Sequence, residues 1–251
     1  MLPEALFLNV HMYGIMVAVG ILCAFAILYL YAKKLQIDRA FIDFIFYDSI
    51  ASVVVGMGSA ALFQGIYDYI EDPSLGFRPD GGITFIGGMI GGSICFLAIY
   101  FTFRKRLTAR LTDIVSLLPC CITAAHAPGR IGCFFAGCCY GRETDCFLGV
   151  KFPNLSAPVH PTQLYEAAFL FILFALASYL LLKKNFRGNM ILYLIGYGSF
   201  RFLIEFIRDD ERGKLIGKLT PSQFWSLIMI ALGAVLIPIL YKKHKTYKER
   251  A

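Results

Sequence analysis

The residues best able to do chemistry in this chain fall into a few polar clusters set in otherwise apolar sequence. The densest runs His126-Ala-Pro-Gly-Arg130-Ile-Gly-Cys133-Phe-Phe-Ala-Gly137-Cys138-Cys139-Tyr140-Gly141-Arg142. Arg130 presents a fixed fork of donors that matches phosphate. Gly129, Gly132 and Gly137 would let backbone N–H groups approach the same anion. The plainer alternative is an arginine snorkelling to lipid headgroups, and the flanking glycines favour the anion site over it. A second cluster is Tyr197-Gly-Ser-Phe-Arg201-Phe-Leu-Ile-Glu205-Phe-Ile-Arg208. On a helix, Tyr197, Arg201, Glu205 and Arg208 fall on one face. Such a stripe in an apolar helix must face a bundle interior or a wet cavity. An Arg201–Glu205 pair is expected, orienting Arg201 and leaving Arg208 available.

A third cluster, His160-Pro-Thr-Gln163-Leu-Tyr165-Glu166, opens a further helix. Pro161 suits a first helical turn, and Thr162, Gln163 and Glu166 can serve its unpaired backbone donors. His160 is as well suited to capping as to catalysis. His11-Met-Tyr13-Gly14 places a histidine and a tyrosine at one mouth of the first helix. The eight cysteines divide in the same way. Cys23 and Cys95 stand alone inside apolar helices and read as small core residues. Cys133, Cys138, Cys139 and Cys146 cluster in a C-x4-C-C-x6-C pattern. That pattern lacks the paired C-x2-C spacing of zinc ribbons, so a disulfide or packed thiols are favoured over a metal, and no cofactor is expected.

The elements that must position these residues are membrane helices. The chain has 251 residues, 58% hydrophobic and 16% charged, with a mean hydropathy of +0.65. Soluble domains are usually about 25% charged. Roughly 20 apolar residues cross a bilayer, and seven segments qualify: 12–32, 44–66, 84–103, 112–127, 161–182, 189–207 and 222–241. The fourth is short and runs into Pro128, where it is expected to end. Gly56, Gly58 and Ser59 in the second segment, and Gly87, Gly88, Gly91 and Gly92 in the third, predict close helix packing.

Lysine and arginine mark alternate loops, 33–41, 104–111 and 183–188, and the tail after 241. Those loops are therefore expected in the cytoplasm, with the N-terminus and loops 67–83, 128–160 and 208–221 outside. The net charge of +7 is a topology signal, and nucleic-acid binding is excluded as its explanation. The first helix lacks a basic leader and a small-residue cleavage site, so no cleavable signal is expected. The expected architecture is all-α, one integral membrane domain over 1–251. An outer Gly/Cys-rich loop at 128–160 belongs to it, and the polar chemistry opens outward.

Taken in order, these motifs resemble the bacterial prolipoprotein diacylglyceryl transferase family. His11-Met-Tyr13-Gly14 is similar to the family's opening H-x-Y-G. Gly81-Gly-Ile-Thr-Phe-Ile86-Gly-Gly-Met-Ile-Gly is similar to its glycine-rich third-helix motif. Asp113 lies where the family has an acidic residue, and Gly129-Arg130-Ile-Gly132 through Gly141 resembles the signature. His160 to Glu166 and Tyr197-Gly-x-x-Arg201 complete the set. Two departures stand out. Ile86 replaces the family's usual histidine, and Cys133, Ala136 and Cys138 stand where Asn, Asn and Glu are usual.

The resemblance implies transfer of a diacylglyceryl group from phosphatidylglycerol to the lipobox cysteine thiol of a secreted precursor, in the bacterial cytoplasmic membrane. It implies catalytic roles for Arg130 and Arg201. His126 is a candidate to replace the missing base, with Tyr13, Tyr197, Gly129, Gly132, His160, Glu205 and Arg208 lining the substrate. Two other functions remain open on sequence alone. One is a membrane thiol-redox protein using the four clustered cysteines. The other is a non-catalytic phospholipid-binding or transport protein.

Overall fold

A computed structural model describes residues 11–78, 84–208 and 219–248. Among them the chain is helical, with only isolated bridges such as Gly141–Arg208 and Val150–Val159 in place of strands. Eight helices follow in order: α1 Met12–Lys34, α2 Arg39–Glu71, α3 Phe85–Phe103, the short turn α4 Leu111–Ile114, α5 Leu118–Ala136, α6 Thr162–Lys184, α7 Asn189–Ile204 and α8 Pro221–Lys248. Among the described residues six stretches are long and apolar enough to cross a membrane: within α1, α2, α6 and α8, and from α3 and α7 into the 3-10 turns that follow them; the expected fourth segment is not among them. Their outer faces are strongly apolar: Leu22, Leu30, Val54, Met57, Ile94, Ile172 and Leu203 are all exposed. Contiguous apolar surface on this scale is a liability in water and the natural exterior of a lipid-facing protein. The chain is a polytopic helical membrane protein.

Charge and turn chemistry set the helix ends. Lys33 and Lys34 close α1, and Lys183 and Lys184 close α6, where cations complement the partial negative charge of a helix C-terminus. Asn185 ends α6 in the left-handed region, which asparagine tolerates better than most residues.

The chain divides into two compact units. The first, Gln36–Asp113, is a helical pair of α2 and α3. Its small residues are used as expected except Gly58, where a Cβ would meet nothing within 4 Å. A Cβ on Gly91 would lie 2.3 Å from the Ser59 Cβ, and one on Gly56 would lie 3.0 Å from the Gly88 carbonyl oxygen. The Ser59 hydroxyl donates to the Gly87 carbonyl at 2.9 Å. Asp80, Gly81 and Gly82, in the loop read as outer, lie outside the described residues, as does the side chain of Ile86.

The second unit, Met1–Leu35 with Ile114–Ala251, carries every polar cluster singled out above; residues 209–218 of loop 208–221 lie outside the described residues. Its α1 crosses α5 closely enough that a Cβ on Gly20 would meet the Ala125 carbonyl oxygen at 2.4 Å. Further along the chain α7 packs on α8, with Gly198 against Ser226 and Gly233 against Ile195. Ala127, Leu170, Leu173 and Tyr197 form a buried core between α5, α6 and α7.

One expected boundary is corrected. The fourth span does not end at Pro128: α5 continues through that proline to Ala136, and the long loop begins at Gly137. Proline deletes one N–H and crowds the preceding turn. Such a defect is tolerated in membrane helices where neighbouring groups take over the freed polar atoms. The consequence is functional, because Arg130 and Cys133 become residues of a helix.

Candidate functional site

The site starts from Glu166, placed one turn into α6 and fully buried. A carboxylate there must be paired, since an unpaired buried charge is strongly unfavourable. Arg130 of α5 supplies the charge, its Nε lying 3.0 Å from Glu166 Oε1. The Tyr197 hydroxyl of α7 donates to the same oxygen at 2.7 Å. One turn before Arg130, His126 accepts from Arg130 Nε at its Nε2, 3.2 Å away, and lies 3.7 Å from Glu166 Oε1. Its ring sits edge-on to Tyr197, with centroids 5.3 Å apart, and Tyr197 stacks on Tyr193. Three helices thus converge on one carboxylate. The other oxygen, Glu166 Oε2, is buried without a hydrogen-bond partner among the described residues.

Arg201 extends the network. It is close enough to act on Glu166 electrostatically, while its Nη1 pairs with Glu205 Oε2 at 3.0 Å. Its Nη2 donates to the Ser222 hydroxyl of α8 at 2.8 Å. Glu205 accepts from the Thr220 hydroxyl at 2.9 Å. The Arg201–Glu205 pair is therefore present as expected, but Arg208 is not left over. It is buried, approaches Glu205 at 3.9 Å and lies close enough to Cys139 to act on it electrostatically. The reason is local: α7 stops at Ile204, a 3-10 turn covers Glu205–Ile207, and Arg208 becomes extended. Its backbone then pairs with Gly141 of the preceding loop.

Several expected roles change with the backbone. Thr162, Gln163 and Glu166 do not cap α6, whose N-terminus has no side-chain cap. Thr162 donates instead to the Cys139 carbonyl at 2.8 Å, and Gln163 to the Cys138 carbonyl. Gly129 and Gly132 lie within α5, where helical bonding engages the backbone N–H groups. The Gly137 N–H is likewise bonded, to Phe134. None of the three therefore offers an amide to an anion. Gly132 serves packing, its missing Cβ leaving room for Met16 and Tyr13 at 3.1 and 3.3 Å, whereas a Cβ on Gly129 would meet nothing within 4 Å.

Tyr13, half exposed on α1, lies within electrostatic reach of Arg130, Cys133 and Cys138. The His160 ring pairs with the Tyr165 hydroxyl at 3.2 Å. Cys133, Cys138 and Cys139 gather their sulfurs, while Cys146 is exposed and outside that group. The residue missed from the sequence is Glu166, read there only as a cap. An acidic residue four positions into an apolar helix, with arginines on neighbouring helices, was the available signal.

An interior arginine–carboxylate network joining several helices of a polytopic bundle defines a membrane protein built to handle charge away from water. Comparison with known proteins makes this more specific. The profile of the prolipoprotein diacylglyceryl transferase family matches residues 3–239. A phosphatidylglycerol–prolipoprotein diacylglyceryl transferase of Clostridium tetani is 34% identical over 92% of this chain and 94% of its own length. One from Clostridium perfringens, designated transferase 2, is 35% identical over 94% and 93%. A third from Methylococcus capsulatus is 34% identical over 94% and 93%. The chain belongs to the prolipoprotein diacylglyceryl transferase family.

Proposed function

We propose that this chain transfers the diacylglyceryl group of phosphatidylglycerol to a cysteine thiol of a secreted lipobox-bearing precursor. The observation that carries the reading is that two interior arginines from separate helices, Arg130 and Arg201, are each held at 3.0 Å by a buried carboxylate, Glu166 and Glu205. A phosphodiester reaching them would find two guanidiniums already oriented by ion pairs. In the reaction the acceptor sulfur bonds to the glyceryl carbon as that carbon's bond to the phosphate oxygen breaks. Glycerol phosphate leaves, and the thiol proton ends on it. Charge builds on the leaving phosphate, and preorganised donors aimed at such charge are commonly worth about 100- to 1000-fold in rate.

Glu166 Oε2, buried and without a partner, suits a hydroxyl of the glycerol headgroup. Tyr197 holds the other oxygen of the same carboxylate, and Tyr13 lies on the Arg130 side of the network. His126 has its one basic lone pair turned to Arg130, so we assign it the positioning of that guanidinium rather than proton removal. Glu205 and Arg208 orient Arg201, and His160 steadies the turn beside the thiols. The basic loops are read as cytoplasmic and the polar end as outward-facing, in a bacterial cytoplasmic membrane, so a secreted precursor would meet the site from outside.

The experiment is incubation of the purified chain with phosphatidylglycerol and a lipobox cysteine peptide, read by mass spectrometry. A diacylglyceryl increment on the peptide is expected, lost in Arg130→Ala and Arg201→Ala. A peptide left unmodified by the intact chain refutes the reading.

A further inference from the structure

We propose that Cys133, Cys138 and Cys139 form a three-thiolate site for a cation of the zinc class, whose open fourth position takes the acceptor thiol. The acceptor role rests on the transferase reading; the site itself rests on geometry. Cys138 N–H donates to the Cys133 carbonyl at 3.2 Å and Gly137 N–H to the Phe134 carbonyl at 3.1 Å. With Gly137 at φ +69°, this is the paired-bond termination that sets the side chains three residues inside and two residues past a helix end side by side. That contact is usually apolar. Here both partners are thiols.

The third sulfur is brought in by an unfavourable backbone. Cys139 has φ +63°, a left-handed conformation that non-glycine residues adopt at a penalty of about 1 kcal/mol. Thr162 and Gln163, both fully buried, hold the carbonyls of Cys139 and Cys138 and so keep this turn in place. The three sulfurs lie within 4.8 Å of one another. One face of a tetrahedron with zinc–sulfur bonds near 2.3 Å needs them about 3.8 Å apart, within reach of small side-chain rotations. A disulfide would join two sulfurs and leave the third without purpose.

The surroundings fit a thiolate site that takes a further ligand. Arg208 and Arg130 lie close enough to act electrostatically on Cys139 and Cys133, offsetting the net negative charge of three thiolates around a dication. No fourth histidine, cysteine or carboxylate joins the group among the described residues, and Cys138 is exposed. Three protein ligands with one position left open is the arrangement of zinc sites that take a substrate or water. A thiol bound there gives up its proton while its sulfur stays available to form the carbon–sulfur bond. The departing glycerol phosphate takes up a proton, so the balance closes without an oxidant.

The test uses the full chain in detergent, loaded with Zn2+ and counted by elemental analysis, then loaded with Co2+ for its absorption spectrum. About one ion per chain is expected, with cobalt bands of a tetrahedral thiolate site. Cys133→Ser should lose the ion and Cys146→Ser should keep it. Cys139→Gly is the sharper variant, because glycine suits φ +63° and the fold is retained while one sulfur is removed. A cysteine-bearing lipobox peptide should shift the cobalt bands, and its serine counterpart should not. A chain that holds no ion, a mapped disulfide among these cysteines, or ion retention in Cys139→Gly overturns the site. Bands indifferent to the cysteine peptide overturn the acceptor role. A peptide-dependent shift without diacylglyceryl product supports the metal site and refutes only the transferase reading.

Discussion

Removing the charge of Glu166 is the most informative perturbation, because one carboxylate oxygen carries both the Arg130 pair and the Tyr197 hydroxyl. In Glu166→Gln the amide oxygen can still accept from Tyr197, so the change isolates the ion pair. Unit charges about 4 Å apart interact by about 4 kcal/mol at the effective dielectric constant near 20 that suits protein sites. Breaking a buried pair by removing one partner typically destabilises by about 3–5 kcal/mol. Glu166 is fully buried and the Arg130 side chain only 17% exposed, so the upper part of the screening range does not apply. Glu166→Gln should therefore lose about 3–5 kcal/mol of unfolding free energy in detergent, and Arg130→Gln a comparable amount through the stranded carboxylate. The double variant should lose about 2–3 kcal/mol less than the sum of the two, since neither charge is then left alone. Single effects that add to within about 0.5 kcal/mol, the behaviour of independent sites, would refute the pairing and with it the placement of Arg130.

Three further outcomes follow from the same coordinates. Tyr197→Phe deletes a 2.7 Å hydrogen bond to a carboxylate and should lower unfolding free energy by about 1.5–3 kcal/mol, measured in the same assay. Gly20→Ala would drive a Cβ to 2.4 Å from the Ala125 carbonyl oxygen, whereas Gly129→Ala meets nothing. The first should cost about 1–3 kcal/mol as α1 is pushed from α5, and the second should stay within about 0.5 kcal/mol. Asp72, exposed beyond the end of α2, accepts from the backbone and hydroxyl of Ser74. These bonds hold its carboxyl below the ordinary 3.8. A depressed folded value means the turn's stabilisation is present above 3.8 and is lost as pH falls through the lowered value. The Ser74 amide resonance should report that transition on the acid side of 3.8.

The membrane bundle was legible because its signal is additive: long apolar runs, small residues at helical spacing and basic loops each recur several times. Close packing of α2 on α3 through Ser59 and Gly91, and the Arg201–Glu205 pair, were readable from i, i+4 spacing. What could not be read was anything set by a partner distant in sequence. Pro128 looks like a stop by local chemistry, yet α5 runs through it to Ala136. Gly129 and Gly132 look like an amide cradle until that continuation engages their N–H groups. Glu166 looks like a helix cap until Arg130 and Tyr197 arrive from other helices.

The continuation of α5 also alters the meaning of the signature's departures. In a loop, Cys133 and Cys138 would be two thiols five residues apart, free to take many separations. At a helix terminus closed by Gly137, their separation is fixed by the two backbone bonds of the cap, and Cys139 is turned onto them by its own left-handed conformation. Replacing polar residues by thiols at these positions thus installs a preformed cluster beside Arg130 rather than merely deleting hydrogen bonds. The three convergent sulfurs then read as the proposed means of activating the acceptor thiol. This makes an asymmetric demand on chelation. Stripping the proposed ion should abolish transfer while leaving phosphatidylglycerol binding intact, because Arg130 and Arg201, proposed to meet the phosphate, would not ligate it. Equal loss of both on chelation would show that the thiol cluster holds the fold and not the acceptor.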